Sequence, residues 1–415
     1  MNGTLGSVTP ALAPPRQARL DPARLVILAG VCAALHVGKL PPAIAALQQA
    51  LGLSLVQAGF LLSGVQAAGM LFGVVFGMVA DGLGLRRSML LGLTVLAAAS
   101  GAGALASGVT ALMALRAIEG FGFLLVALPA PALLRQLVPD QRINRVLGVW
   151  GAYMPLATAL ALLIGPLVIT ALGWRGWWAL LAGLSAAMAL WLARAVPPLP
   201  AAAPARSEGW PARLAQTLSA PGPWLVALTF AVYSSQWLAV VGFLPTIYLR
   251  SGVSGAATGV LTAIAAGVNI AGNITAGRLL HRGVPAPRLL AVGFLAMALA
   301  AAGTFAGTPE TGLPPTLRYA SVLAFSALGG LIPATLFTLA IRLAPSERSL
   351  STTVGWVQQW SSLGQFAGPP AVAWVASVAG GWHLTWLATG ACSLIGGLLT
   401  LALARRLRGA GPGVR

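Results

Sequence analysis

The sequence predicts an all-α membrane protein: twelve transmembrane helices in two six-helix bundles related by pseudo-two-fold symmetry. Three observations predict it. Of the 415 residues, 58% are hydrophobic and only 8% are charged, whereas a soluble domain carries ~25% charged residues. Apolar stretches of about 20 residues, enough to span the hydrocarbon core as a helix, recur along the whole chain. Glycine and proline landmarks of the first half return in the same order in the second.

The twelve stretches fall at 24–48, 54–79, 88–107, 110–134, 146–171, 176–198, 223–248, 256–280, 288–308, 316–342, 351–376 and 383–404. The first follows a Pro-rich, Arg-bearing lead and reads as a retained helix rather than a cleaved signal. Residues 1–20 are expected to form a disordered N-terminus, 21–198 the first bundle, 199–222 a Pro- and Ala-rich linker, 223–404 the second bundle and 405–415 a tail. The repeat pairs Gly77 with Gly277, Pro139 with Pro345 and Gly148 with Gly355. It also pairs Gly165-Pro166 with Gly368-Pro369, and Gly173-Trp174 with Gly381-Trp382. One such match is weak; five in order imply duplicated bundles about an axis along the membrane normal.

The net charge is +18, which on a soluble face would suggest nucleic acid. Here the basic residues sit in short gaps between apolar stretches. Twenty arginines fall in the lead, the tail and alternate loops, against Arg175, Arg250 and Arg318 in the others. The positive-inside rule then puts both termini and the linker in the cytoplasm, with no role for nucleic acid. Abundant Ala, Gly and Arg with a single lysine point to a bacterial inner membrane. Cys32 and Cys392 lie in apolar stretches and offer neither a disulfide framework nor a metal site. No cofactor is implied, and no nucleophile, base and orienter set emerges, so an enzyme is not expected.

Local signatures accompany this plan. Gly77 to Arg87 reads GMVADGLGLRR, with Asp81 at a membrane edge; Arg116 to Gly122 reads RAIEGFG; GWRGWW starts at Gly173. With the helix count and the repeat, these resemble the major facilitator superfamily over nearly the whole chain. The first two helices and GVWGAYMP, which contains Tyr153, are similar to its cyanate and nitroimidazole permease-like branch. The resemblance implies a monomeric transporter working by alternating access, with the first and fourth helices lining a central cavity. It also implies a cytoplasmic gate of Asp81, Arg86 and Arg87, although Gly82 and Leu85 stand where basic residues are usual. The Gly-Pro-x-x-Gly-Gly signature of drug/proton antiporters is missing after Gly165-Pro166.

A charge at the bilayer centre costs about 2.5–3.5 kcal/mol on insertion scales, so each one inside a stretch is a functional candidate. Four ionisable groups are deeply placed: His36, Lys39, Arg116 and Glu119. His36 and Lys39 stand three residues apart on one helix face, as do Arg116 and Glu119 on another. Pro41 and Pro42 are expected to break the first helix beside Lys39. Against one carboxylate, Lys39 and Arg116, with His36 when protonated, leave positive charge that an anion would satisfy. Arg116 and Glu119 as a self-contained packing pair, and His36 as a neutral hydrogen bonder between helices, remain open.

The second half offers Tyr233, Gln236 and Trp237, then Asn269 and Asn273, then Gln358, Gln359 and Trp360. Tyr153, Gln236, Gln359 and Trp360 are the candidates for the uncharged part of a substrate, while amides as interhelical glue are the competing reading. Glu119 is the only carboxylate deep in a stretch and the candidate for a coupling proton. The resulting expectation is an anion:proton symporter of a small organic or inorganic anion. Organic anion exchange, cation or drug efflux through Glu119, and a membrane sensor without flux stand beside it.

Overall fold

The computed structural model describes residues 21–197, 209–307 and 311–409. The disordered N-terminus expected for 1–20, the first part of the linker (199–208) and the last residues of the tail lie outside these, as do a few side chains, Asp81 among them. The described chain is helical throughout, without strands. Ten of its helices are long and apolar enough to cross a membrane. Two features turn that number into twelve spans. Residues Gln141–Ala195 run as 55 helical residues, about 80 Å at 1.5 Å per residue and far too long for one crossing. Gly173 leaves helical geometry at φ 71°, and the legs on either side of it pack against the same part of the first span. The remaining span, Leu350–Val378, has 29 residues and no ionisable side chain, but its Ser, Thr and Gln make it more polar.

We number the spans α1–α12. α1 is Pro22–Leu51; α2 is Leu55–Gly64 continued by Ala67–Leu83; α3 is Leu85–Ala104; α4 is Val109–Leu137. α5 and α6 are the legs before and after Gly173. The second half comprises α7 (Pro221–Arg250), α8 (Gly255–His281), α9 (Ala286–Phe305), α10 (Pro315–Arg342), α11 (Leu350–Val378) and α12 (Thr385–Gly409). Termini are set by local chemistry. The Asp21 carboxylate accepts from the Ala23 N–H at 3.0 Å ahead of Pro22, a helix start of the preferred kind. Ser54 and Gln57 form a reciprocal capping box at the start of α2. Gly52, at φ 65°, supplies the left-handed residue that ends α1.

The break in α1 falls where the prolines predict it. Helix ends at Gly38, Pro41–Ala43 forms a single 3-10 turn, and helix resumes at Ile44. Ala43 N–H then bonds Leu40 O rather than Lys39 O, so the Lys39 carbonyl is released, and the Trp177 indole donates to it at 3.0 Å.

The landmark pairs occupy equivalent joints. A Cβ on Gly165 of α5 would meet Pro42 of α1, and one on Gly368 of α11 would meet the backbone of Ser235 in α7. α5 therefore closes on α1 as α11 closes on α7. The turn at Gly173 has its counterpart at Gly380, φ 68°, just before Gly381-Trp382. One apolar core fills each bundle, and a third joins the α1 break and Trp174, Trp177 and Trp178 to Phe243 and Ala373 of the other half. Large side chains such as Leu167, Leu295, Leu299, Leu394 and Val378 stand outward, more than half exposed, as hydrocarbon solvent permits.

One difference from the sequence reading lies in the linker. Trp210–Ser219 is a short helix, started by Gly209 and Pro211, and α7 begins almost at once. Its Gln216 and Thr217 meet Ser346 and Thr353 at the start of α11, an anchor that Pro and Ala content does not reveal.

Candidate functional site

His36, Lys39, Arg116 and Glu119 converge into one cluster inside the first bundle. The first three are 0% exposed and Glu119 is 1% exposed. Spacing of three residues puts each pair on one helical face, and α1 and α4 turn those faces toward each other. Lys39 Nζ pairs with Glu119 Oε1, while Arg116 Nη1 donates to Glu119 Oε2 at 2.6 Å. One carboxylate therefore serves two cations, an oxygen for each. Arg116 Nη1 also reaches the His36 carbonyl at 2.7 Å, and its Nε reaches the Leu61 carbonyl of α2 at 3.2 Å. Its Nη2 has no hydrogen-bond partner.

Two further spans, α3 and α6, complete the cage. Lys39 Nζ donates to Ser100 Oγ of α3 at 2.9 Å and lies 4.6 Å from the centroid of the Trp178 ring of α6, within cation–π range. His36 Nδ1 is 3.4 Å from Lys39 Nζ, and its Nε2 is 2.8 Å from Ser185 Oγ of α6. Leu61, Ser100, Trp177, Trp178 and Ser185 were not among the sequence candidates. Only the tryptophans carried a signal, inside GWRGWW, since a lone serine in an apolar span looks like any small residue.

One layer away the cleft between the bundles is closed down to a gap of about 10 Å³, room for a single water. Gly38 and Pro41 of α1, Met154 and Thr158 of α5, Trp237 of α7 and Gln365 of α11 line it. None of the four ionisable side chains does. In this conformation Lys39, His36 and Arg116 are buried in the interior of the first bundle. Gly38 sits so close to Thr158 that a Cβ there would come within 2.9 Å of its Cα. α5 thereby seals the cleft side of α1 and leaves Lys39 only the bundle interior.

The uncharged candidates disperse. Gln236 is 1% exposed and turns into its own bundle, accepting from Ser393 Oγ of α12 at 3.0 Å and donating to Val232 O at 3.2 Å; it does not reach the cleft. Trp360 is partly buried and forms an edge-to-face group with Trp224 and Trp356 at 5.5 and 5.8 Å. Tyr153 stacks on Trp150 at 4.3 Å, outside the cleft. Gln359 joins the bundles directly, its Oε1 accepting from Val74 N–H at 3.0 Å. Asn269 donates to Tyr233 and to the Ser326 carbonyl, and accepts from Asn273, the glue reading of those amides. A polar chain that the sequence reading passed over links the halves at the cleft: Gln66 Nε2 to Gln365 Oε1 at 3.0 Å, Gln365 to Ser361 at 3.3 Å, and Ser361 to Ser234 at 2.9 Å.

Of the expected gate, Asp81 lies among the side chains outside the description and Arg87 is exposed. Arg86 donates to Val196 O at 2.7 Å and Ala193 O at 2.6 Å, at the end of α6 in its own bundle. Unpaired carbonyls at a helix C-terminus attract a guanidinium, so Arg86 braces α3 against α6 rather than reaching the other half. No group of three or more His, Cys, Asp or Glu among the described residues is arranged to hold a metal.

Comparison with known proteins agrees with this architecture. A bacterial homologue of the human lysosomal transporter Spinster, in an inward-facing and occupied conformation, superposes with a TM-score of 0.78 at 16% identity, covering 92% of this chain and 96% of that one. A second structure of such a homologue, inward-facing and unoccupied, gives 0.73 at 17% identity over 93% and 98%. A mutant of the nucleoside transporter NupG gives 0.71 at 15% identity over 92% and 99%. At these identities the likeness is one of fold. The family model of the Major Facilitator Superfamily matches residues 26–358. Twelve spans, the internal repeat and that match together make the chain a member of the major facilitator superfamily, a multi-pass membrane transporter.

Proposed function

We propose that the protein moves a small organic or inorganic anion across the membrane together with a proton, with Glu119 as the proton carrier. One observation carries the reading: two buried cations, Lys39 and Arg116, share a single carboxylate. Protonating Glu119 removes their only buried counter-charge among the described residues. The cleft behind Gly38 and Pro41 then faces a cluster with two positive charges across a thin, low-dielectric layer, where an anion is attracted far more strongly than in water. Proton and anion binding favour each other, and by linkage each raises the affinity for the other. The anion sits against Thr158, Gln365 and Trp237, and the cations act on it through the α1 break. The likeness of GVWGAYMP to the cyanate and nitroimidazole permease-like branch supports a small solute, and the arginine distribution supports cytoplasmic termini in a bacterial inner membrane. Cation efflux through Glu119 is disfavoured because both its oxygens are already taken by cations.

The test is uptake into proteoliposomes of acetate, benzoate and cyanate with the outside at pH 6 or pH 8, expressed per folded transporter. Uptake of one of them rises at pH 6, and Glu119→Gln abolishes the pH dependence. Uptake that ignores pH in the parent protein, or pH dependence that survives Glu119→Gln, overturns the symport reading. A requirement for an internal counter-anion instead identifies an exchanger.

A further inference from the structure

On the face opposite the chain termini a second cavity, of about 470 Å³, opens between the bundles. Ala45, Gln48 and Gln49 from the last turns of α1 form one wall, and Thr246, Leu249 and Arg250 from the end of α7 form the other. It shares no residue with the central cleft. Its chemistry is distinctive for so apolar a chain, bringing together a guanidinium, two carboxamides and a hydroxyl.

Of the three arginines on this face, Arg175 is spent on the Ala104 and Ala106 carbonyls and the Trp174 ring. Arg318 reaches the Leu313 carbonyl. Both serve their own bundles. Arg250 instead reaches across to the other bundle, where its Nη2 stands 3.4 Å from Gln48 Oε1, a long and therefore weak hydrogen bond. Among the described residues no carboxylate lies within ion-pairing distance of it, and the described carboxylates other than buried Glu119 belong to the terminal face. One turn below Arg250, Thr246 lines the cavity at 1% exposure with its hydroxyl lacking any partner. A buried hydroxyl without a partner costs free energy unless something else completes it.

We propose that this cavity is an outer vestibule site for small carboxylates. The guanidinium takes the two carboxylate oxygens side by side, the geometry in which arginine surpasses lysine. The amides of Gln48 and Gln49 cover the rim, and Thr246 supplies a donor from the floor. A carboxylate that takes Arg250 from Gln48 also removes a tie between α1 and α7, so occupancy loosens the closure of this face. The site deepens the anion-transport reading and rests on it for the substrate class.

The test uses the full-length protein in detergent carrying Ala45→Cys as a reporter, with labelling of the parent's Cys32 and Cys392 subtracted. The thiol is reacted with an anionic sulfonatoethyl and a cationic trimethylammonioethyl methanethiosulfonate. A single positive charge a few ångströms away favours the anion and disfavours the cation, so Arg250→Gln lowers the anionic-to-cationic rate ratio by on the order of tenfold. Arg250→Lys, which keeps the charge, holds the ratio within about twofold. Benzoate slows labelling of Ala45→Cys and no longer does so once Arg250→Gln is added. An unchanged ratio in Arg250→Gln, or benzoate protection that ignores Arg250, overturns the vestibule. The outcome is separable from the symport reading. Arg250-dependent protection with uptake indifferent to Glu119 sinks the symport and keeps the vestibule; Glu119-dependent uptake without protection does the reverse.

Discussion

The two bundles share a plan and differ in what fills them. The first is organised around charge: two cations and a carboxylate, caged by carbonyls, a serine and an indole, at 0–1% exposure. The contacts that hold the interior of the second are neutral ones. Asn269, Tyr233 and Ser326 bond one another, Gln236 bonds Ser393, and glycines let helices touch through their backbones, Gly364 against Ala231 and Gly272 against Ala327. The same scaffold thus assigns ionisable chemistry to one half and close packing to the other. Since a transporter works by moving one bundle against the other, the two halves bring different interiors to that motion, one charged and one neutral.

The strongest way to break this comparison is to remove the shared carboxylate. Glu119→Ala leaves Lys39 and Arg116 buried without counter-charge, and is expected to cost about 3–5 kcal/mol, read as a large fall in the melting temperature of the detergent-solubilised protein. A loss below about 1 kcal/mol would mean that the cluster is wet or rearranges, and the contrast between the bundles would collapse. Next comes the neutral half. Gly364→Val drives a side chain into the Ala231 backbone and should cost about 1–3 kcal/mol by overpacking; chemical denaturation of the same preparation checks it. Smaller again is Asn269→Leu, which removes interhelical bonds that in membranes average ~0.6 kcal/mol and reach ~1.7 kcal/mol. A penalty as large as that of Glu119→Ala would show that the second half depends on polarity as much as the first.

Lys39→Met sharpens the comparison from the other side. It leaves Arg116 and Glu119 balanced and replaces a buried ammonium by an apolar chain of similar length. Such a replacement is near neutral or stabilising, so stability within about 1 kcal/mol of the parent is expected, while anion uptake falls. Strong destabilisation together with normal uptake would reassign Lys39 from transport to architecture.

Much of this molecule was readable from its sequence. Apolar runs of bilayer length, broken by Gly, Pro and Arg, define the spans because lipid forces every backbone polar group into a helix. The break beside Lys39 follows from two prolines that lack N–H groups. That His36 and Lys39 share a face, and Arg116 and Glu119 another, follows from helical geometry alone. What the spacing does not contain is the rotation of each helix about its own axis, because in an almost uniformly apolar span no polar stripe marks which side faces a neighbour. The tertiary structure decided that. Close contact of Gly38 with α5 turned the cations into their own bundle, where Glu119, Ser100 and the His36 and Leu61 carbonyls could satisfy them. Contact of Gly364 and Gly368 with α7 set the second half, leaving Gln236 to meet Ser393 and Trp360 to join its aromatic neighbours. Identity and spacing thus determined which charges are buried, and packing of small residues between helices determined what each charge meets.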